Sequence, residues 1–519
     1  MRLLGRTVGF AGGALLLGLA MQAQTIDNTQ ATNTAKAGIN KSLVDEIGPG
    51  RGDIRSVGSS LYLISRDPFR SIRRGRQLFQ RKFTRLQGQG PNEKDGTGDI
   101  NSDIGIGAGL SDSCALCHGR PRGSAGVGGN VATRPDSRDA GHLFGLGLKE
   151  MLADEITTDL RSTRDLAITM AKRVKRPVTL KLVSKGIRYG SITGNPDGSA
   201  DTSRVQGIDP NLRVKPFFAE GSTISIREFV VGALHNEMGL EASADPDLLV
   251  ASAGGQVVTP SGMVLDGLKD NISQPPPPDD QNGNEIDPAL VDHLEFYLLN
   301  YFKPAHSEQT VMTAHGRRIF SQAGCSSCHI PDLAIKHDRR VADVDTIYDP
   351  VHGIFNNLFA TATALYYSKN DGSGLPPLKV PVGNSFVVKD IFTDFKRHDL
   401  GASFYERNWD GTLRTQFLTR PLWGVGSTSP YGHDGRSIML NDVILRHGGE
   451  ARTSRDAYAA LTKRDQLALQ AFLNSLILFP PDDTASNLDP GDPTSTDFPQ
   501  FGHGSIKLTL LFNDPTDPE

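Results

Sequence analysis

Apolar residues recur at intervals of three and four in several stretches of the 519-residue chain, and capping residues mark where the helices start. Asp287 and Pro288 suit the cap and first turn of one helix. Thr462 and Asp465 form a capping box before another. The apolar positions that follow are Leu290, Val291, Leu294, Leu298 and Tyr301 in the first helix, and Leu469, Phe472, Leu473 and Leu476 in the second. The pattern predicts an amphipathic helix near the end of each half of the chain.

Polar and proline-rich stretches divide these periodic segments into domains. The chain is too long for one ordinary core, so we expect two. Residues 274–284 contain four consecutive prolines and indicate a loop. The predicted organisation is a flexible segment at 24–60, an N-terminal domain at 61–304, a C-terminal domain at 305–483, and an exposed tail at 484–519 with a strand from Ile506 to Phe512.

Residues 1–23 have the pattern of a signal peptide. Arg2 and Arg6 give a positive start, and an apolar stretch follows from Val8 to Met21. That stretch is shorter than the roughly 20 residues that a membrane-spanning helix needs. We expect cleavage after Ala23, export to the periplasm and a mature protein without a membrane span. A net charge of −4, with both signs mixed, gives no basic field for nucleic acid.

All four cysteines belong to two copies of one motif, Cys-x-x-Cys-His. The first motif is Cys114 to His118 and the second motif is Cys325 to His329. This spacing is the attachment signature for haem c, in which two thiols bond to the vinyl groups of one porphyrin and the histidine lies under the iron. We predict two covalently bound haems, with Cys114, Cys117, Cys325 and Cys328 as attachment residues and His118 and His329 as proximal ligands.

Two other uses of paired cysteines fit less well. A zinc site does not explain a histidine directly after both pairs, and about 200 intervening residues exceed zinc-ribbon spacings. A thioredoxin-like dithiol needs a βαβ context, which neither motif has. Haem attachment is therefore the interpretation that the sequence favours.

The sequence around the motifs predicts a mainly α fold, with two cytochrome c-like haem domains and loop-rich insertions. A helix through Gly316 to Phe320 precedes the second motif, and its small and aromatic residues suit packing near a porphyrin. Gly75 to Phe79 resembles that helix in the first half. A glycine-rich insertion separates it from Cys114, so we expect the N-terminal domain to be the more elaborate.

His447 is the candidate sixth ligand of the second iron. It follows Leu440, Val443 and Ile444 on the apolar stripe of a predicted helix that two glycines end. A structural histidine of the core is the alternative. Bis-histidine ligation would make that haem low-spin and closed, which suits electron transfer.

Glu237 is the candidate acid–base group of the first half. Ser225 and Glu228 suggest a capping box, and Glu237 falls on the apolar face of the helix that follows. A carboxyl there would have a raised pKa and could move protons for a ligand on iron. The alternative is a helix-end glutamate that reaches water. His142 is either a distal residue or a hydrogen-bonding histidine of a loop.

Several segments carry a family resemblance. In the C-terminal half they are Gly324 to Pro331, His398 to Gly401, Arg420 to Gly426, His433 to Arg436 and Ile444 to Ala451. Leu143 to Leu148 and Gly232 to Gly239 are the matching segments of the N-terminal half. Together they resemble the di-haem oxidoreductase family, which is classed with peroxidases, over most of residues 65–480.

The resemblance extends to bacterial di-haem cytochrome c peroxidases, to methylamine dehydrogenase maturation enzymes and more distantly to rubber oxygenases. It implies that the N-terminal haem reacts with peroxide or dioxygen while the C-terminal haem relays electrons from a small redox protein. His447 falls where the peroxidases have a methionine ligand. By analogy a calcium ion could lie between the domains, although the sequence has no calcium-loop signature. The peroxidases also place a tryptophan of the first half between the haems, whereas Trp409 and Trp423 both lie in the second half.

The sequence supports three functions. The leading one is a periplasmic di-haem oxidoreductase of peroxidase type, in which the His118 iron binds peroxide and Glu237 moves its proton. Electrons would arrive through the haem of His329 and His447. The alternatives are a non-catalytic electron carrier with both irons six-coordinate, and an oxygenase of the rubber-oxygenase type.

Overall fold

The computed structural model describes residues 43–84, 87–90, 111–118, 136, 138–276, 285–300, 305–351, 357–408, 410–478, 496 and 504–505. Several predictions fall outside these residues. They are the signal peptide, the polar segment before residue 43, most of the proline loop, Trp409, the domain boundaries at 304 and 483, and the strand from Ile506 to Phe512.

Twelve α-helices lie in the described residues. They are α1 Leu43–Ile47, α2 Ser60–Arg66, α3 Pro68–Gln80, α4 Cys114–His118, α5 Leu146–Val174, α6 Ile226–Met238, α7 Pro246–Ser252, α8 Pro288–Asn300, α9 Val311–Gln322, α10 Leu440–Arg446, α11 Arg452–Ala459 and α12 Lys463–Asn474. None of these helices combines the length and the apolar character needed to cross a membrane.

The described residues also form eight small sheets, antiparallel except where β18 pairs with β9. The strands are β1 Val178–Ser184, β2 Ile187–Gly194, β3 Ala200–Asp201, β4 Gln256–Val258, β5 Val264–Asp266, β6 Ala305–His306, β7 Leu333–Ile335, β8 Ala342–Tyr348, β9 Leu358–Ala364, β10 Tyr366–Lys369, β11 Leu378–Pro381, β12 Phe386–Val388, β13 Arg397–Asp399, β14 Glu406–Arg407, β15 Leu413–Arg414, β16 Gln416–Leu418, β17 Leu476–Ile477 and β18 Gly504–Ser505.

The prediction of a mainly α fold with cytochrome c-like domains is wrong, because the part of the chain that the structure describes is a mixture of 39% helix and 17% strand. The longest hairpin shows why. In β1 and β2, Ser184 pairs with Ile187 across a two-residue turn. Both turn residues, Lys185 and Gly186, have positive φ, as a tight hairpin turn requires. This short turn signal was present in the sequence, but the prediction did not use it.

The helices before the two motifs cross the helices predicted at the end of each half. A Cβ on Gly75 of α3 would lie 2.1 Å from the His293 carbonyl oxygen of α8. A Cβ on Gly316 of α9 would lie 1.9 Å from the Ala468 carbonyl oxygen of α12. Each glycine therefore permits a close helix crossing. The predicted caps of the two later helices are confirmed, since Asp287 accepts from the Ala289 N–H and Thr462 accepts from the Asp465 N–H.

Replacing Gly316 with alanine should destabilise the fold. The new methyl group would meet the α12 backbone, and overpacking of this kind costs about 1–3 kcal/mol. Chemical denaturation of the haem-loaded protein measures the loss. Ser321→Ala on the exposed side of the same helix is the control, with an expected change within about 0.5 kcal/mol. Equal stability of the two variants would contradict the described crossing.

The described residues form three large hydrophobic clusters and one small one. The first packs α3, α6 and α8, and the third packs α9 and α12. The second is built on α5 and the β1–β2 hairpin, and it also contains Ile391, Phe395 and Trp423 from the later part of the chain. The two halves thus share the second core, and the first core also contains Val341 and Ala342 of the second half.

Candidate functional site

Both Cys-x-x-Cys-His motifs line one continuous cavity. Its volume is about 1010 Å³, and its wall includes all four cysteines, His118, His329 and His447. Small-molecule pockets usually measure about 300–1,000 Å³, so this space exceeds the need of one small ligand. The fold therefore brings the predicted attachment residues and iron ligands of both halves to a common space.

The first motif forms α4, and a carbonyl of the following described segment orients its histidine. Nδ1 of His118 lies 2.7 Å from the Gly141 carbonyl oxygen. The His118 ring also packs edge-on against Phe229 of α6, with 6.4 Å between ring centroids. Burial raises the pKa of Cys114 to about 12. Such an apolar environment suits a thioether, which carries no charge.

The second motif begins with a 3₁₀ turn at Cys325–Ser327. Nδ1 of His329 lies 3.0 Å from the Phe392 carbonyl oxygen, and its ring packs against Phe320 of α9 at 6.2 Å. Burial lowers the pKa of His329 to about 4. The imidazole is therefore neutral at physiological pH, which metal ligation requires.

His447 caps the end of α10 and lies in the same cavity wall. Its Nδ1 lies 2.7 Å from the Val443 carbonyl oxygen, and its ring packs edge-on against Phe404 at 5.3 Å. Burial lowers the pKa of His447, and a charge on His447 would in turn lower the pKa of His329. The structure thus brings these two histidines within electrostatic reach of each other.

His118, His329 and His447 share one hydrogen-bonding pattern. Because a carbonyl oxygen only accepts, Nδ1 must be the donor in each ring, and Nε2 carries the lone pair. This is the arrangement in which a second hydrogen bond fixes the tautomer of a metal-ligating histidine. The backbone acceptors carry no sequence signal, because every residue has a carbonyl group.

His142 has a different pattern. Its Nε2 lies 2.8 Å from the Trp423 carbonyl oxygen, and its Nδ1 accepts a hydrogen bond from the Phe144 N–H at 3.2 Å. Both ring nitrogens are therefore engaged with the backbone. Of the two roles weighed for His142, this geometry supports the hydrogen-bonding histidine.

Glu237 lies in the last turn of α6 and lines the cavity, half-buried. Its carbonyl oxygen accepts a hydrogen bond from Ser111, just before the first motif. The predicted cap of this helix is confirmed, because the Ser225 hydroxyl accepts from the Glu228 N–H at 3.1 Å. The carboxylate of Glu228 is committed to the backbone N–H groups of Ile224 and Ser273. Glu237 thus remains the acid–base candidate of this helix.

Two further cavity residues, Lys149 of α5 and His433, were not predicted as site residues, although His433 belongs to one of the segments that resemble the family. The His433 ring stacks on Phe417 with 3.9 Å between centroids, and its carbonyl oxygen accepts from the Asp139 N–H. Burial, together with the charge of Arg420, lowers the pKa of His433 to about 3. A neutral histidine of the second half therefore faces the segment that follows the first motif. Only the tertiary fold brings such distant residues together.

The amine of Lys149 indicates whether the charges of the cavity wall match those of haem. Its amine has no hydrogen bond or ion pair with any described residue, and it lies 5.3 Å from the centre of the Phe217 ring. Burial and the nearby Arg420 lower the pKa of Lys149 to about 7. Lys149 is half-buried in the cavity wall, and a carboxylate at the cavity would offset the cost of its partial desolvation. Haem carries two propionate carboxylates, so the residues present fit this group.

Replacing Lys149 with methionine should lower the reduction potential of the first haem. Loss of a nearby positive charge favours the ferric form, by on the order of 40 mV for about 1 kcal/mol of charge interaction. Spectroelectrochemical titration measures the potential. Lys269→Met removes an exposed amine and serves as the control. An unchanged potential in the Lys149 variant would contradict this role.

One group of potential metal ligands lies among the described residues. Potential ligand atoms of Cys328, Asp394 and His398 lie within 4.8 Å of one another. Cys328 belongs to the second motif, and the set is not the all-oxygen set that calcium prefers. Nε2 of His398 bonds Asp394 at 2.9 Å, and its Nδ1 bonds Glu450 at 2.8 Å.

Comparisons with known proteins bear on the second half of the chain. Residues 352–476 match the family model described as "Di-haem oxidoreductase, putative peroxidase". No curated protein matches the sequence. A solved structure of hydrazine synthase from Kuenenia stuttgartiensis, pressurised with 20 bar xenon, aligns at 16% identity with a TM-score of 0.22. The alignment covers 37% of this chain and 57% of that chain, just over half its length, and so weak a likeness carries no argument.

The matched segment contains Trp423, His433 and His447. Both Cys-x-x-Cys-His motifs precede it in the chain. The family description supports haem as the cofactor and oxidoreductase as the class of protein. The resemblance predicted from the sequence is therefore confirmed: this chain is similar, over residues 352–476, to di-haem oxidoreductases.

Proposed function

We propose that the protein is a periplasmic di-haem c-type oxidoreductase that reduces peroxide. One observation carries the proposal. Three histidines of the shared cavity donate Nδ1–H to a backbone carbonyl, and two of them, His329 and His447, belong to the second half and interact electrostatically. His329 and His447 would thus both hold the second haem, while His118 would hold the first. This asymmetry is expected of one relay site and one reactive site.

Bound haem would supply the iron that takes up peroxide and passes electrons. The chain supplies position and protonation. The hydrogen bond to Gly141 orients His118 and makes its Nε2 more basic. Glu237, at the cavity wall beside the segment that precedes the first motif, would hold and release the proton that peroxide cleavage needs.

The carrier alternative needs a permanent sixth ligand on the first iron. His142 was the residue considered for that role, and both of its ring nitrogens are engaged with the backbone. Ligation by His142 would have to break at least one of these bonds. The free-energy cost of breaking a hydrogen bond of His142 favours a first iron that is open to peroxide over one that is permanently six-coordinate.

The test is peroxide-dependent oxidation of a reduced small redox protein by the haem-loaded protein. We expect turnover by the wild type and a loss of about 10²–10⁴-fold in Glu237→Gln, the usual contribution of a positioned proton-transfer group. Glu308→Gln, an exposed carboxylate, is the control and should leave the rate unchanged. No turnover by the wild type would reject the peroxidase function. Full activity of Glu237→Gln would reject only the role of Glu237.

A further inference from the structure

We propose that a continuous chain of hydrogen bonds and covalent bonds, centred on the side chain of His142, carries electrons between the two proximal histidines. The proposal rests on the proposed function, in which the second haem relays electrons to the first. It names the route within this chain. In that route one electron leaves the second haem and the first haem gains it.

The route starts at the first motif. Nδ1–H of His118 donates to the Gly141 carbonyl oxygen at 2.7 Å. The carbonyl carbon of Gly141 is bonded to the backbone nitrogen of His142, the next residue in the chain. A single peptide group therefore connects the proximal histidine of the first motif to His142.

The side chain of His142 then crosses to the second half of the chain. Since Nδ1 of His142 accepts from the Phe144 N–H, the proton must reside on Nε2, which donates to the Trp423 carbonyl oxygen at 2.8 Å. The position of that carbonyl is fixed. The Trp423 indole packs so tightly on Gly145 that a Cβ there would lie 2.4 Å from Cζ3, and Gly145 also has a φ of +72°.

The last part of the route returns to the second motif. The N–H of Leu422, which precedes Trp423, donates to the Ile391 carbonyl oxygen at 3.2 Å. Ile391 is bonded to Phe392, whose carbonyl oxygen accepts Nδ1–H of His329 at 3.0 Å. Ile391 and Phe392 are buried at 0% and 2% exposure, so water does not compete for these bonds.

Four hydrogen bonds thus join the two proximal histidines, and peptide backbone or one imidazole spans every interval between them. Electron tunnelling is faster through covalent and hydrogen bonds than across an equal gap of empty space. Each hydrogen bond keeps its proton, so the transfer is of the electron alone. The route also accounts for electron passage without a tryptophan in the first half, because Trp423 contributes its backbone carbonyl rather than its indole.

The experiment measures electron redistribution between the haems of the intact di-haem protein. A photosensitiser injects one electron without oxygen or peroxide, and transient absorption follows both haems. We expect several-fold slower redistribution in His142→Leu, which lacks the donor. His142→Gln places an amide N–H at the same distance along the side chain and should restore the wild-type rate. His142→Met is a second donor-free variant for use if the leucine variant does not fold.

Trp423→Phe removes the indole and keeps the backbone carbonyl of residue 423, and we expect this variant to keep the wild-type rate of electron redistribution. An unchanged rate in both donor-free variants would overturn the proposal. So would a slow Trp423→Phe variant beside a fast His142→Leu variant, because the indole would then be the route. The optical spectra of each variant report whether iron ligation is intact. Since no peroxide is present, failure of the peroxidase function would leave this measurement unaffected.

Discussion

Replacing His447 with alanine should convert the second haem from low-spin to high-spin while the haem stays attached. His447 lies in the same cavity wall as His329, with Nδ1 bonded to Val443 and Nε2 carrying the lone pair. In the proposed function His447 is the second histidine that holds this iron, so removing its imidazole would open the iron to small molecules. Electron paramagnetic resonance of the oxidised protein would show loss of one low-spin signal and gain of a high-spin signal.

His315→Ala is the matched control for this change. His315 lies on α9 in the same half of the chain, with Nε2 bonded to the Asp465 carboxylate at 2.8 Å. Its loss should leave both spin states as they are. If His447→Ala kept the wild-type spectrum, another residue would be the sixth ligand, and the assignment of the relay haem would be wrong.

Replacing Cys325 and Cys328 together with serine should remove one covalent haem completely. Serine hydroxyls do not form thioether bonds, so the mass of the denatured protein should fall by that of one haem. Replacing Cys114 and Cys117 should remove the other haem independently. Ser326→Ala, between the two cysteines of the second motif, is the control and should retain both haems.

Metal analysis of the same samples separates this account from the zinc alternative. Covalent attachment predicts two irons in the wild type and one iron in each double variant. Stoichiometric zinc in the wild type, with its loss in either double variant, would instead show that the cysteines are metal ligands.

Local signals in the sequence were sufficient for several helices and for the motifs, but the longest helix, α5, was not predicted. Thr462 caps its helix and Ser225 caps another, because a hydroxyl three residues before a free backbone N–H satisfies it regardless of the rest of the fold. The helix through Leu476 was predicted too long. It ends at Asn474, and Leu476 instead pairs with His306 in the β17–β6 sheet, a contact that periodicity does not report.

The strands could not be predicted from local signals, and neither could the residues that surround the predicted ligands in the cavity. Most strands are only two to four residues long and pair across loops, so they lack a sustained alternating pattern. Lys149 and His433 become candidates only when the fold closes the cavity around them. The carbonyl groups of Gly141, Val443 and Phe392 orient the predicted ligands, but their backbone chemistry is common to all residues.

The most direct test of the central claim is the electron paramagnetic resonance spectrum of the haem-loaded protein, oxidised and half-reduced, with and without peroxide. The account predicts one low-spin signal that peroxide does not change, from the haem of His329 and His447. It also predicts a second signal, from the His118 haem, that is high-spin or becomes so on half-reduction and that responds to peroxide. Two low-spin signals that ignore peroxide in both redox states would contradict the account and identify an electron carrier.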